Sequence, residues 1–240
     1  MGDPSIEESK KVVEIIEKGG ADIIELGLPF SDPIADGKVI QRASERALKA
    51  GMNPDLFFDL VSELNVKVPL AVMTYYNLVF KRGIERFVRD CSTAGISGII
   101  IPDLPPEEAG DVLRACRKFS VEYTGFVTPI TTPERIERAV KVSTGFLYIV
   151  SRLGVTGGTT SISPLKKLLE RLKQYDVPKA VGFGISSPPQ CEEAISMGAD
   201  GVIVGSAIVK LVGDRKYKEI EEVLRKMKEG CLKGLKRRIE

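Results

Sequence analysis

Two carboxylates in the segment ADIIELGLPFSDPIADG (residues 21–37) are placed to move protons. Ile23 and Ile24 belong to a short apolar run that ends by presenting Glu25. The turn sequence Pro29-Phe30-Ser31-Asp32-Pro33 then leads to Asp36, just before Gly37. A carboxylate on a rigid strand and a second on the adjoining loop can handle two protons around one small substrate. The chain has no histidine, so acid–base work near neutral pH falls first to carboxylates. A carboxylate at the end of a buried strand is costly without a partner or a task, which favours catalysis for Glu25. Asp36 sits among turn residues and reads equally as a turn aspartate. Asp32, beside Pro33, reads as a turn residue first.

A second constellation is rich in glycine. Gly182-Phe183-Gly184-Ile185-Ser186 closes one apolar run and leads into a helix, and Gly205-Ser206 closes the next and leads into another. Backbone N–H groups at a helix start, with glycines allowing close approach, make a phosphate site. Tight strand–helix turns also use Gly and Ser, but two such junctions in succession favour phosphate. Neither matches GxGxxG or a P-loop, so a nucleotide is disfavoured. Ser151-Arg152-Leu153-Gly154-Val155-Thr156-Gly157-Gly158-Thr159-Thr160 reads as a mobile lid or as a merely flexible loop. Tyr75, Phe126, Tyr148 and Phe183 fall near strand ends and would wall an apolar pocket, although core packing is the default for each.

The elements that must position these groups alternate between short β-branched runs and amphipathic stretches, the pattern of βαβ units and a parallel sheet. Strands are expected at 22–26, 70–75, 98–102, 124–128, 146–151, 179–182 and 201–204. Most are apolar almost throughout, as strands covered on both faces are. Ser5-Ile-Glu-Glu8 and Ser187-Pro-Pro-Gln190 read as capping boxes. Thr132-Pro133-Glu134 supplies an N-cap, a first-position proline and an acid in the first turn. No linker or composition shift divides the chain, so 1–240 reads as one domain, a (β/α)₈ TIM barrel, with a doubly wound open sheet as the alternative. The count gives about seven strands where a barrel needs eight. Met1-Gly2-Asp3-Pro4 looks like the exit from a first strand missing upstream. A gap is therefore expected between the 22–26 and 201–204 strands, hydrated or covered by a neighbouring chain or a rearranged helix.

Composition excludes several classes of function. With 43% hydrophobic residues the chain can build a sizeable core, and its net charge of +2 is interleaved along helical faces. Lys236, Arg237 and Arg238 read as a solvated helix end, so no nucleic-acid partner is implied. The four cysteines are widely spaced, without a CxxC pair, and read as reduced, mostly buried thiols; no metal site is expected. The start MGDPSIEESKK has no apolar signal region, and the longest apolar run, 201–209, is too short to span a bilayer. The reading is a soluble cytoplasmic protein acting on a small molecule.

Six segments, ELGLPFSDPIADG, MTYYNLVF, IIIPDLPPEE, YIVSRLGVTG, VGFGIS and GVIVGSAIVK, occur together and in this order. In them the chain resembles the alpha-subunit family of tryptophan synthase over essentially its whole length. The resemblance implies a barrel that cleaves indole-3-glycerol phosphate into indole and glyceraldehyde 3-phosphate, as a lyase of tryptophan biosynthesis. It implies no cofactor in this chain, and a beta-subunit partner that carries pyridoxal phosphate in an alpha-beta-beta-alpha assembly. By motif it makes Glu25 and Asp36 the catalytic carboxylates, assisted by Tyr148. Gly157, Gly184, Gly205 and Ser206 fall in its phosphate loops, Tyr75, Phe183 and Ile40 in its indole pocket, and Arg152 and Thr156 in its lid. Pro29, Asp32 and Asn77 fall in loops that meet the partner. Another phosphosugar barrel enzyme would share the phosphate loops but not ELGLPFSDPIADG. A non-catalytic, alpha-like partner subunit would have no need of both Glu25 and Asp36.

Overall fold

Seven short runs pair in parallel and in sequence order: β1 (Ile24–Gly27), β2 (Leu70–Met73), β3 (Ile96–Ile100), β4 (Glu122–Val127), β5 (Leu147–Val150), β6 (Lys179–Gly182) and β7 (Gly201–Val202). The computed structural model describes residues 1–150, 164–182 and 184–239. The helices between and around the strands are α1 (Ile6–Lys18), α2 (Lys38–Lys49), α3 (Pro54–Ser62), α4 (Tyr76–Arg82), α5 (Ile84–Thr93) and α6 (Gly110–Phe119). They continue as α7 (Pro133–Val142), α8 (Pro164–Leu172), α9 (Pro188–Ser196), α10 (Ser206–Gly213) and α11 (Tyr217–Ile239). Each expected strand is present, with bounds shifted by a few residues.

Register sorts the strand residues onto two faces. Ile24, Leu26, Val72, Ile99, Leu147, Ile149 and Val181 point outward and are buried under the helices. Glu25 pairs with Ala71 and Ala71 with Gly98; Phe126 pairs with Tyr148, and Tyr148 with Ala180. These residues share the other face. There Ala71, Ile100 and Tyr148 form one buried cluster with Met73, Phe126, Phe146, Val150 and Ile203. A cluster drawn from β2 through the end of β7 requires the sheet to curl around a lumen. This is the barrel architecture expected from the sequence, built here from seven strands rather than eight.

Among the described residues β1 and β7 are the sheet edges and do not pair with each other. The helical layer closes where the sheet does not. Val12 of α1, Ile208 and Val212 of α10, and Ile220 of α11 are buried together across the seam, backed by Ile15, Leu211 and Val223. On the lumen side Ile23 remains 51% exposed. The Met1 ammonium donates to the Gly27 carbonyl at 2.6 Å, at the edge of β1. The expected gap is therefore covered on its outer side by helices and open on its inner side.

Of the two expected capping boxes the first forms in part: Ser5 Oγ accepts from the Glu8 N–H at 3.2 Å, while the Glu8 carboxylate accepts from Arg215 and Tyr217. The second does not. The Gln190 N–H donates to the Ser187 carbonyl at 3.1 Å rather than to its hydroxyl, and the Gln190 side chain turns back, its Oε1 accepting from the Ser186 N–H at 2.8 Å and from Ser187 Oγ at 3.1 Å. Thr132 is the N-cap residue of α7 but makes no side-chain capping bond.

Helices α9 and α11 meet backbone to backbone. A Cβ on Gly230 would lie 2.4 Å from the Pro188 carbonyl oxygen, and one on Gly234 2.4 Å from that of Glu192. Gly230→Ala is therefore expected to destabilise the fold by about 2 kcal/mol or more, although alanine is the better helix former by about 1 kcal/mol. Gly110→Ala, at the start of α6 with only Arg114 Nη1 at 3.7 Å, is expected to be neutral or stabilising. Thermal unfolding of the two variants beside the parent checks the contrast. Equal losses would show that α9 and α11 can separate without cost.

Candidate active site

Glu25 sits on the inner face of β1 because Ile24 and Leu26 on either side are held outward in the core. Burial, and then the negative charge of Asp36, push its carboxyl up to about 7. Asp36 comes from the loop between β1 and α2, and burial raises its carboxyl as well. Tyr75, two residues beyond β2, holds that loop in place. Its hydroxyl accepts from the Ala35 N–H at 3.0 Å and is hydrogen-bonded to the Asp36 carboxylate, which opposes the rise at Asp36. The Tyr75 phenol is itself pushed up to about 12, first by burial, so it stays a donor to the carboxylate. Phe30 packs against the Tyr75 ring, with centroids 5.4 Å apart.

Tyr148 enters the lumen from β5, across from these groups. Burial raises its phenol, and the charges of Glu25 and then Asp36 raise it further. The ring is fixed by its neighbours. Phe126 stacks on it with centroids 5.0 Å apart, and a Cβ on Gly182 would fall 2.5 Å from the Tyr148 hydroxyl. Glycine at 182 is thus required by the ring of Tyr148. Ala71, Gly98, Ala180 and Gly201 keep the inner face around these groups small. A carboxyl that titrates near neutrality, a second carboxylate and a phenol in one lumen can give and take protons at a bound molecule.

The glycine-rich junctions lie on adjoining strands at the same end of the sheet. Gly184 has φ +106°, a left-handed backbone that favours glycine, and is exposed. Gly205 and Ser206 are exposed at the start of α10, where no side chain caps the helix. The Ile208 and Val209 N–H groups both donate to the Gly205 carbonyl at 3.0 Å, and the N–H groups of Ser206 and Ala207 before them have no acceptor inside the helix.

The remaining sequence candidates divide. Ile40 is half-buried in the first turn of α2. Asp32 and Asn77 are exposed, whereas Pro29 is buried. Arg152, Thr156, Gly157 and Phe183 lie outside the described residues. Asp103 is a helix cap, accepting from the Tyr76 N–H at 2.8 Å at the start of α4. Sequence reasoning placed Tyr75 in a pocket wall and missed its bond to Asp36. It also passed over Gly182 as a space for Tyr148. The available signals were the hydroxyl just beyond a strand end and a glycine ending an apolar strand. Among the described residues no group of three or more His, Cys, Asp or Glu could hold a metal ion.

The family model for the tryptophan synthase alpha chain matches residues 1–239. The tryptophan synthase alpha chain of Methanosarcina acetivorans is 50% identical over 234 residues, which cover 96% of this chain and 86% of that protein. That of Haloferax volcanii is 45% identical over 251 residues, covering 99% of this chain and 91% of that protein. Among solved structures, tryptophan synthase from Mycobacterium tuberculosis is similar with a TM-score of 0.87 at 36% identity, covering 96% of this chain and 89% of that one. The tryptophan synthase complex from Pyrococcus furiosus gives 0.84 at 35% identity, covering 96% and 94%.

The environment of Glu25 predicts a pH-dependent penalty. Its carboxyl is raised from 4.5 to about 7 in the fold, so between those values the folded chain holds a proton that the unfolded chain has lost. Stability should fall as pH rises through that window, reaching a cost of about 3 kcal/mol above it. Glu25→Gln removes the titration. The variant is expected to be more stable than the parent above about pH 7, with the difference shrinking towards pH 4.5. Urea unfolding of both proteins across that range is the check, and a difference independent of pH would count against the desolvated carboxyl.

Proposed function

The chain belongs to the tryptophan synthase alpha chain family, and from that premise we propose how its lumen carries out the chemistry. The protein is a carbon–carbon lyase of tryptophan biosynthesis that cleaves indole-3-glycerol phosphate to indole and glyceraldehyde 3-phosphate. Breaking the bond between indole and glycerol leaves an electron pair on the aromatic ring, which is a poor carbanion. Protonation at ring C3 first creates an iminium-like sink for those electrons. Asp36, held by Tyr75, accepts a hydrogen bond from the ring N–H and stabilises the cation. Glu25 acts as the acid at C3 and then as the base toward the glycerol hydroxyl whose deprotonation drives the retro-aldol step. The observation that carries this assignment is the placement of Glu25 on the inner face of β1, where burial and the charge of Asp36 push its carboxyl up to about 7.

Tyr148 assists from the opposite wall, its hydroxyl fixed above Gly182. Gly184, Gly205 and Ser206 receive the substrate phosphate at the exposed helix starts; the family's motif also assigns Gly157 to phosphate binding and Arg152 and Thr156 to a lid. Tyr75 and Ile40 line the indole pocket, to which the family's motif also assigns Phe183. The chain works without a cofactor of its own, since each step is a proton transfer or an electrostatic stabilisation. Its partner is a tryptophan synthase beta subunit that carries pyridoxal phosphate, in an alpha-beta-beta-alpha assembly. The loops bearing Asp32 and Asn77, both exposed, and Pro29 meet that partner. Among the described residues no helix is long and apolar enough to cross a membrane. The reading places the protein in the cytoplasm.

Glu25→Gln is nearly isosteric and is expected to lower turnover ~10²–10⁴-fold with little change in KM. Steady-state release of indole measures both constants. Retention of more than a few per cent of turnover would remove Glu25 from the acid–base role and favour a subunit that serves only its partner. Gly184→Val blocks the backbone at a left-handed position and is expected to raise KM steeply while largely sparing turnover. An unchanged KM would place the phosphate elsewhere in the barrel.

A further inference from the structure

Cys191 and Cys231 lie where α9 and α11 touch. The two helices are in backbone contact at Gly230 against Pro188 and at Gly234 against Glu192. Cys191 and Cys231 fall between those points on facing helices. The two thiols are close enough to interact electrostatically, and Cys191 Sγ donates to the Sδ of Met227, one turn before Cys231, at 3.5 Å. Cys191 is fully buried and Cys231 half-buried. Both belong to the outer helical layer, away from the lumen. A disulfide needs Cα atoms within about 7 Å and Cβ vectors that converge. The glycine contacts on either side of the pair hold the two helix backbones close, as such a bond needs.

We propose that Cys191 and Cys231 form a thiol–disulfide exchange site that reacts with low-molecular-weight disulfides and clamps α9 to α11. Cys231 is the attacking sulfur. It reaches solvent while Cys191 is fully buried, and the nearby Lys228 charge favours its thiolate. Its thiolate attacks one sulfur of the small disulfide, forms a mixed disulfide and expels one thiolate. Cys191 then loses its proton to that thiolate and attacks the Cys231 sulfur, expelling the second small thiolate, which takes a proton from solvent. Two protein thiols are oxidised to one disulfide, and one small disulfide is reduced to two thiols. Cys91 and Cys116 are both buried, and burial raises both thiols, so this pair lacks an exposed attacking member.

The test uses the full chain under native conditions. The protein is incubated with excess glutathione disulfide, alkylated, digested without reduction and analysed by mass spectrometry, with its melting temperature measured in parallel. Expected are loss of two of the four free thiols, a joined peptide pair containing Cys191 and Cys231, and a melting temperature higher by about 5–10 °C. Dithiothreitol should reverse all three. Cys191→Ala is expected to stop at a glutathione adduct on Cys231, and Cys231→Ala to acquire none. The proposal is overturned if all four thiols persist, if the joined pair includes Cys91 or Cys116, or if complete oxidation leaves the melting temperature unchanged. An adduct on Cys191 in the Cys231→Ala protein would overturn the order of attack.

Discussion

The strands of this sheet are packed on both faces, and in β1 that requirement dictates where a charge must go. Ile24 and Leu26 are each almost wholly buried under the outer helices, so Glu25 between them has only the lumen to enter. A slip of one residue would bring Glu25 into the helical core and turn both apolar side chains inward, which makes the register of β1 hard to change. The rise of the Glu25 carboxyl to about 7 follows from that placement. The group that titrates near neutrality, in a chain without histidine, is produced by packing.

The other lumen groups are arranged around this fixed point. Asp36 has no strand of its own to hold it; the Tyr75 hydroxyl, bonded to both the Ala35 N–H and the Asp36 carboxylate, anchors its loop to the end of β2. Tyr148 is held by Phe126 on one side and by the absence of a side chain at Gly182 on the other. Each contact removes freedom from a side chain that would otherwise sample several rotamers, and preorganisation of that kind makes electrostatic stabilisation effective.

Around the lumen the helices supply what the strands leave undone. The edges of β1 and β7 are unpaired among the described residues, yet α1, α10 and α11 bury a common apolar cluster across the seam. Closure of the fold on its outer side is therefore a matter of helix packing, which is tolerant of distance. Closure of the sheet would demand hydrogen-bond register. The tight glycine contact of α11 with α9 ties this closing group of helices to the element that follows the Gly184 junction.

The sequence by itself determined the seven strands, their parallel order and the placement of Glu25. Each rests on short apolar runs alternating with amphipathic helical stretches and on short connections, which neighbouring residues encode. It also marked the glycine junctions after β6 and β7, because a helix start next to glycine is a local pattern. It did not determine the bond between Tyr75 and Asp36, the fit of Tyr148 against Gly182 or the meeting of Cys191 with Cys231. Those pairs are far apart in the chain, and only the curl of the sheet and the packing of helices bring them together. The capping box at Ser187 shows the same division within a single turn. Its residue types were legible, but the Ser187 hydroxyl donates to the Gln190 side chain, which also accepts from Ser186, and the Gln190 N–H takes the Ser187 carbonyl instead. Tertiary structure decided which side chains share a lumen, because side-chain contact depends on how all the elements close around one core.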